Sequence, residues 1–99
     1  MIIKFKLTNP RTEYISIAST FYESYQMYIT KNRYPERNGD VWDINIVTSG
    51  TTRLNMPGFK TEEEAQHVLD EIANCLRHYE SAIWLDVDAE LRKYNRAML

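Results

Sequence analysis

The hydrophobic pattern of the chain changes its period at Pro57-Gly58, and this change constrains the fold more than any other sequence feature. Before this dipeptide, apolar and polar residues alternate, which is typical of half-buried strands. After it, no glycine or proline occurs through Leu99, and apolar residues recur every three or four positions, as on one face of a helix. The sequence therefore predicts strands in its first part and helices in its second.

The segment after Lys60 carries the clearest helix signal. Thr61 followed by Glu64 matches a capping box, and the acidic Glu62 and Glu63 complement the positive end of the helix dipole. One apolar stripe then follows the segment and comprises Ala65, Val68, Leu69, Ile72, Leu76 and Tyr79. We predict a helix over residues 62–79 whose apolar face covers a sheet.

Two arrangements are compatible with the rest of the C-terminal part. The apolar stripe can continue as a single rod of about 37 residues, or the chain can form two helices with a break near Glu80 to Leu85. The charges favour two helices, because acidic residues precede basic ones twice, as each helix dipole prefers. The two sets are Glu62 to Glu64 with Arg77 and His78, and Asp86, Asp88 and Glu90 with Arg92, Lys93 and Arg96. We predict a second helix over residues 83–97.

Five segments before Pro57 have strand character. Alternation is clearest in residues 41–48. Residues 20–30 also fit a helix face, but their aromatic and β-branched side chains favour a strand. Asn9-Pro10 and the polar segment 31–40 interrupt the strands. The predicted strands cover residues 2–8, 12–18, 21–30, 41–48 and 52–56.

The last two predicted strands form a hairpin, and the alternation fixes its register. A two-residue turn would place Ile46 opposite Arg53 and bring a charge to the buried face. A three-residue turn, or an equivalent bulge, places Ile46 opposite Leu54 and Ile44 opposite Met56. We predict this second register.

Together these elements predict a single α+β domain that comprises residues 1–99. An antiparallel sheet of four or five strands is covered on one face by the helix over 62–79, and the second helix follows. A chain of 99 residues has room for one modest core. The sequence shows no internal repeat and no linker to a second domain.

The composition excludes several classes of protein. The chain is 43% hydrophobic and 26% charged, which is incompatible with disorder, and its net charge of −2 argues against a general nucleic-acid coating protein. No apolar run is long enough to span a membrane, and the residues after Met1 do not resemble a signal peptide. We therefore expect a cytoplasmic protein without a membrane role.

The sequence offers few groups for metal binding or catalysis. Glu71, Cys75 and His78 share one side of the predicted helix, but three ligands from one helix enclose an ion poorly. We expect Cys75 to pack as a small hydrophobic residue, and no metal or cofactor to bind. Common catalytic motifs are absent from the sequence, and we expect Asp40 and Asp43 to be solvated. The sequence predicts that the protein is not an enzyme.

Aromatic residues are in surplus, because seven tyrosines and two tryptophans exceed what one small core encloses. Some tyrosines can simply fill strand positions with their hydroxyl groups in water. Tyrosine, tryptophan and arginine also concentrate in protein interfaces, and aromatic rings beside basic groups bind single-stranded nucleic acid. We favour protein binding, because the net charge is negative and no RNA-recognition motif is present. The predicted contact residues are Tyr25, Tyr28, Arg33, Tyr34, Arg37, Trp42 and Trp84.

We therefore expect a small adaptor, inhibitor or accessory protein of bacterial or phage type that acts by surface complementarity. We also expect a homodimer formed through the C-terminal part, because one helix over a small sheet leaves apolar surface to be covered. The residues predicted for this contact are Trp84, Leu91, Tyr94 and Met98. The alternative is a single-stranded nucleic-acid-binding module that uses the tyrosine- and arginine-rich N-terminal half.

Overall fold

A computed structural model of the protein describes residues 2–6, 11–16, 26–33, 39–47, 53–77 and 84–98. These ranges contain six strands and two helices, and the predicted α+β class is confirmed. In chain order, the elements are β1 (Ile2–Phe5), β2 (Glu13–Ser16), β3 (Gln26–Asn32), β4 (Val41–Val47), β5 (Arg53–Phe59), α1 (Glu62–Arg77), β6 (Trp84–Asp86) and α2 (Val87–Ala97).

The strands form two three-stranded sheets and not the single antiparallel sheet that the sequence predicts. Sheet A has the order β2-β1-β6, and sheet B has the order β3-β4-β5. The pairs are antiparallel except for β1 with β6, which run parallel with Ile2 opposite Trp84. The sequence places Trp84 and Leu85 in the second helix, and this assignment is wrong because both residues belong to β6.

Sequence patterns miss β6 because a strand of three residues is too short to show alternation. Its last residue, Asp86, is also the N-cap of α2, and its side chain accepts a hydrogen bond from the backbone N–H of Ala89 at 3.1 Å. The helix therefore begins at Val87 and not at residue 83. Two helices are confirmed, and a single long rod is excluded because β6 separates α1 from α2.

The hairpin formed by β4 and β5 has the predicted register. Ile46 lies opposite Leu54 and Ile44 lies opposite Met56. The turn between the two strands lies outside the described residues. The other predicted strands overlap β1, β2 and β3, and β3 continues to Asn32, inside the segment that the sequence assigns to a loop.

A β-bulge lets β5 continue past the Pro57-Gly58 dipeptide, where the sequence predicts that the strand has ended. Trp42 lies opposite Phe59, so two residues of β5 face the single residue Asp43 of β4. Gly58 has a φ of 89°, a left-handed conformation that glycine adopts without strain. The strand thereby reaches Phe59, whose side chain is fully buried in the core.

Asp43 is buried within β4, which corrects the expectation that it is solvated. It is only 2% exposed. One carboxylate oxygen accepts a hydrogen bond from the backbone N–H of Gly58 at 3.0 Å, and the other accepts one from the side-chain amide of Asn32 at 2.7 Å. These donors replace the water that a buried carboxylate loses, and they join all three strands of sheet B at the bulge. Asp40 is exposed, as expected, and its carboxylate lies 3.1 Å from the Lys31 ammonium.

One hydrophobic core joins the two sheets to the two helices. α1 packs on sheet B, α2 packs on sheet A, and the helices contact each other. The predicted stripe of α1 is buried except for the half-buried Leu69, while Tyr79 lies outside the described residues. The sheets contribute Ile3, Phe5, Ile15, Ile44, Ile46, Met56, Phe59 and Leu85 to the same core.

The start of α1 provides a test of the predicted cap. The Thr61 hydroxyl accepts a hydrogen bond from the backbone N–H of Glu64 at 3.1 Å. Loss of this bond in Thr61→Ala should lower the free energy of unfolding by about 1 kcal/mol. Thr61→Ser keeps the hydroxyl and should remain close to wild type in urea denaturation. Equal midpoints for the two variants would contradict a capping role.

Asp43 provides a test of the bulge. Asp43→Ala removes the acceptor for two buried donors and should lower the free energy of unfolding by about 3 kcal/mol. Asp43→Asn keeps the volume and one oxygen for the Gly58 N–H, so we expect a smaller loss of about 1 kcal/mol. Urea denaturation followed by tryptophan fluorescence measures both values. An Asp43→Ala protein as stable as wild type would show that the bulge does not depend on the carboxylate.

Candidate protein-binding surface

Each sheet packs one face on a helix, and the residues of its other face alternate with the core residues. In sheet A the buried residues are Ile3, Phe5, Ile15 and Leu85. Because successive side chains of a strand point to opposite faces, the residues between them form the outer face. The outer face of sheet A carries Ile2, Lys4, Tyr14, Ser16, Trp84 and Asp86.

The outer face of sheet B is polar, and its side chains form hydrogen bonds with one another. We term Thr30, Asn32, Asp43, Asn45 and Asn55 the polar ladder. Asn45 donates to the Thr30 hydroxyl at 2.9 Å and accepts from the Asn55 amide at 3.1 Å. Among the described residues, every buried side-chain nitrogen and oxygen has a hydrogen-bond partner. The polar ladder therefore satisfies its own groups and stabilises sheet B.

Three of the six residues on the outer face of sheet A are large, exposed and apolar or aromatic. Trp84 is 54% exposed, Tyr14 is 58% exposed and Ile2 is 38% exposed, and we term these three residues the aromatic patch. Tyr14 and Trp84 come from the strands on either side of β1. Their ring centroids are 5.9 Å apart, with an angle of 56° between the ring planes. The two rings therefore meet across β1, beside Ile2.

The charges beside the aromatic patch are balanced. The Lys4 ammonium lies 3.8 Å from the Asp86 carboxylate, and both side chains are about one-third exposed. An ion pair this exposed contributes little to stability, but it cancels the charge next to the rings. Exposed rings without excess positive charge fit a protein interface better than they fit a nucleic-acid backbone, which needs cations for its phosphates.

The hydrophobic core supports the backbone beneath the aromatic patch. Each patch residue is followed in the chain by a buried residue, namely Ile3, Ile15 or Leu85. β6 is held in addition by Asp86, which caps α2. Strands fixed in this way present the two rings in one arrangement, and a preorganised surface loses less conformational entropy when it binds a partner.

The structure places the predicted contact residues on different surfaces. Trp84 belongs to the aromatic patch. Tyr28 is 37% exposed on the outer face of sheet B, whereas Trp42 is half-buried on the inner face and packs against the core. Arg33 is exposed just after β3, and its role and those of Tyr28 and Trp42 in partner binding remain predictions. Tyr25, Tyr34 and Arg37 lie outside the described residues.

The contacts predicted from the sequence omit two members of the aromatic patch. The alternation in β1 does indicate the position of Ile2. Because Ile3 and Phe5 are buried, Ile2 lies on the opposite, outer side of the strand. Tyr14 comes close to Trp84 only because β2 and β6 both pair with β1. Local sequence patterns do not show this proximity.

A second group of polar side chains lines an open cleft of about 290 Å³ between α1 and α2. The Glu90 carboxylate lies 3.4 Å from Nε2 of His67 and 3.6 Å from the Lys93 ammonium. The His67 ring stacks on Tyr94 with 4.8 Å between ring centroids. These groups bind one another across the two helices, so we interpret the cluster as a helix–helix contact.

Of the three residues that the sequence offers for metal binding, two lie in the described part of the chain. Glu71 and Cys75 lie on α1, and His78 lies outside the described residues. Cys75 is half-buried and packs against the core, as a small hydrophobic residue does. In the ranges that the structure describes, no three histidine, cysteine or acidic side chains are arranged to hold a metal ion. The absence of a metal and of an enzymatic activity both remain predictions.

The chain itself uses part of the C-terminal surface expected to form a dimer. Leu91 is buried in the core, and Tyr94 is half-buried against His67. Trp84 and Met98 are exposed. This region therefore offers a second copy less apolar surface than the sequence predicts.

Neither described helix has both the length and the apolar character needed to cross a membrane. Searches against protein-family models, curated proteins and solved structures gave no match.

Proposed function

We propose that this protein is a small, non-enzymatic cytoplasmic accessory protein that binds a protein partner through the aromatic patch and also associates with itself. The observation that carries the proposal is the pair of exposed rings, Tyr14 and Trp84, on the outer face of sheet A. Tyrosine and tryptophan held on a firm support contribute much of the free energy of binding in protein interfaces.

The polar ladder supports this proposal by contrast. On the outer face of sheet B, polar residues predominate and bind one another, and Tyr28 is the one large exposed aromatic or apolar side chain among the described residues of that face. The outer face of sheet A instead places three large apolar side chains next to one another. Contiguous exposed apolar groups rimmed by polar residues are typical of a surface that a partner covers.

The aromatic patch is too small to form a complete protein interface by itself. The patch is only three strands wide, or roughly 10 Å, so its area is much smaller than the surface of about 800 Å² that each partner buries in a standard complex. The patch would therefore be the centre of a larger contact. Lys4, Asp86 and the exposed Ser16 would lie in the polar rim, which is the usual anatomy of a protein interface.

Binding of single-stranded nucleic acid is the alternative function. The exposed Tyr28 and Arg33 favour it, because bases stack on aromatic rings and phosphates bind cations. Lys31 of the same strand pairs with Asp40, and Lys4 of sheet A pairs with Asp86, so both lysines are less available for phosphates. We therefore rank protein binding first.

Removal of the two rings tests the proposed function. Trp84→Thr and Tyr14→Thr keep a residue with high strand propensity and remove the aromatic group. Each should weaken partner binding at least tenfold, because a hot-spot side chain contributes about 2 kcal/mol or more. Affinity capture from an extract of the source organism would identify the partner, and titration calorimetry with the purified partner would measure the change.

Tyr28→Thr is the matched control, because it removes an exposed tyrosine from the outer face of the other sheet. If the aromatic patch alone carries the binding, Tyr28→Thr should bind the partner as wild type does, whereas weaker binding would extend the contact to Tyr28, as the sequence predicts. Circular dichroism should show that all three variants fold. A partner held equally well by Trp84→Thr and wild type would contradict the proposal.

Fluorescence anisotropy with a labelled DNA strand at low salt should show no binding. Binding that weakens with salt and in Tyr28→Thr would support the alternative.

A further inference from the structure

The described part of the chain has four edge strands, and three of them carry features that prevent pairing with another chain. An edge strand exposes backbone N–H and C=O groups, which natural proteins protect with short strands, proline or bulges. In sheet A, β2 has four residues and β6 has three. In sheet B, β5 contains Pro57 and a bulge.

The fourth edge strand, β3, has none of these features. It has seven residues without proline or glycine, and all seven pair with β4 in one continuous register. A charged side chain also protects an edge, and β3 carries one, Lys31. The Lys31 ammonium is held 3.1 Å from Asp40 of the same chain. The strand is therefore regular, and no other strand of the described residues pairs with its outer edge.

We propose that β3 is the self-association edge, and that it pairs antiparallel with β3 of a second copy about a two-fold axis at Ile29. This inference rests on the self-association in the proposed function and assigns it to a strand. The two copies of sheet B would then form one continuous six-stranded sheet. A two-fold interface uses the same surface of both copies, so β3 has to be complementary to itself.

The sequence of β3 meets this requirement. With the axis at Ile29, Met27 lies opposite the partner's Lys31, and Tyr28 lies opposite the partner's Thr30. No charged residue faces a like charge in this register, and Ile29 faces the partner's Ile29. If the axis lay at Thr30, Lys31 would lie opposite the partner's Ile29. If the axis lay at Lys31, the two lysines would lie opposite each other, which is unfavourable.

The burial of β3 also favours a further strand beside it. Ile44 and Ile46 of β4 are fully buried, whereas Met27 and Ile29 of β3 remain half-buried although they pack against the same core. A second β3 strand would cover the exposed sides of these two residues with the partner's Ile29 and the aliphatic part of the partner's Lys31. One strand pair buries less area than a standard interface, so we expect dissociation in the micromolar range.

Met27→Lys and Met27→Glu are a matched pair of variants that tests this register. Both remove the same half-buried methionine, so both lose similar packing. In the proposed dimer the new side chain lies opposite the partner's Lys31. The exposed Asp40 only partly neutralises this lysine, so it still favours a glutamate over a lysine at position 27. Because this contact occurs twice, Met27→Lys should dimerise about tenfold more weakly than Met27→Glu. The difference should decrease at high salt.

Sedimentation equilibrium over the micromolar concentration range measures these constants. Wild-type protein should show a monomer–dimer equilibrium, with the two variants ordered as above. A purely monomeric wild type and Met27→Glu, or equal dimerisation of the two variants, overturns the proposal.

Disulfide cross-linking keeps the test decisive if substitution of Met27 impairs folding. The thiols of Ile29→Cys would face each other at the axis and should form a covalent dimer under mild oxidation. Lys31→Cys lies on the same face of the same strand but opposite the partner's Met27, so it should cross-link no more than wild type, whose only cysteine is Cys75. Equal cross-linking of the two variants would overturn the register.

Trp84→Thr separates this proposal from the proposed partner-binding surface. The variant changes the aromatic patch and leaves β3 intact, so it should dimerise as wild type does. A monomeric, folded Trp84→Thr would place self-association on the aromatic patch and overturn the role of β3. Partner capture that depends on Trp84 in a strictly monomeric protein would reject the β3 dimer together with self-association, and would retain partner binding through the aromatic patch.

Discussion

In the described part of the chain, two helices cover six strands, and this constraint decides which faces of the two sheets the helices leave uncovered. Three strands about 4.8 Å apart are roughly as wide as one helix with its side chains, so each sheet can be covered by a single helix on a single face. α1 covers sheet B and α2 covers sheet A, and the two helices meet, which makes one core from two small layers. Both sheets keep an outer face, and the chemistry of those faces follows from the residues that alternate with the core.

The outer faces of the two sheets differ in the residues that they present. On sheet B, amide, hydroxyl and carboxylate groups bind one another, and the bulge at Gly58 supplies a backbone donor to the buried Asp43. On sheet A, two rings from separate strands meet across β1. The first arrangement stabilises a sheet in water, whereas the second leaves apolar area exposed. This contrast within one molecule supports the proposal that a partner binds on sheet A.

The features that the sequence predicts correctly are local or periodic. Residues close together in the chain determine the α1 cap, the buried stripe of α1 and the register of Ile44 and Ile46. Local sequence patterns therefore indicate these features. The division into two sheets depends on β6, which is too short to have a period and pairs with the distant β1. The burial of Asp43 depends on Gly58 across the bulge, and a single aspartate in a strand does not indicate such a partner. Of the aromatic patch, the sequence predicts only Trp84 as a contact, because the proximity of Tyr14 to Trp84 depends on the tertiary structure.

The parallel pairing of β1 with β6 also has a consequence for the order of folding. Sheet B can grow from strands that are close together in the chain, whereas sheet A requires residue 2 to meet residue 84, which carries a larger entropy of loop closure and is therefore slow. The aromatic rings come together only when this closure is complete. A partner that recognises them would therefore distinguish mature molecules from folding intermediates, in which the same rings are present but apart.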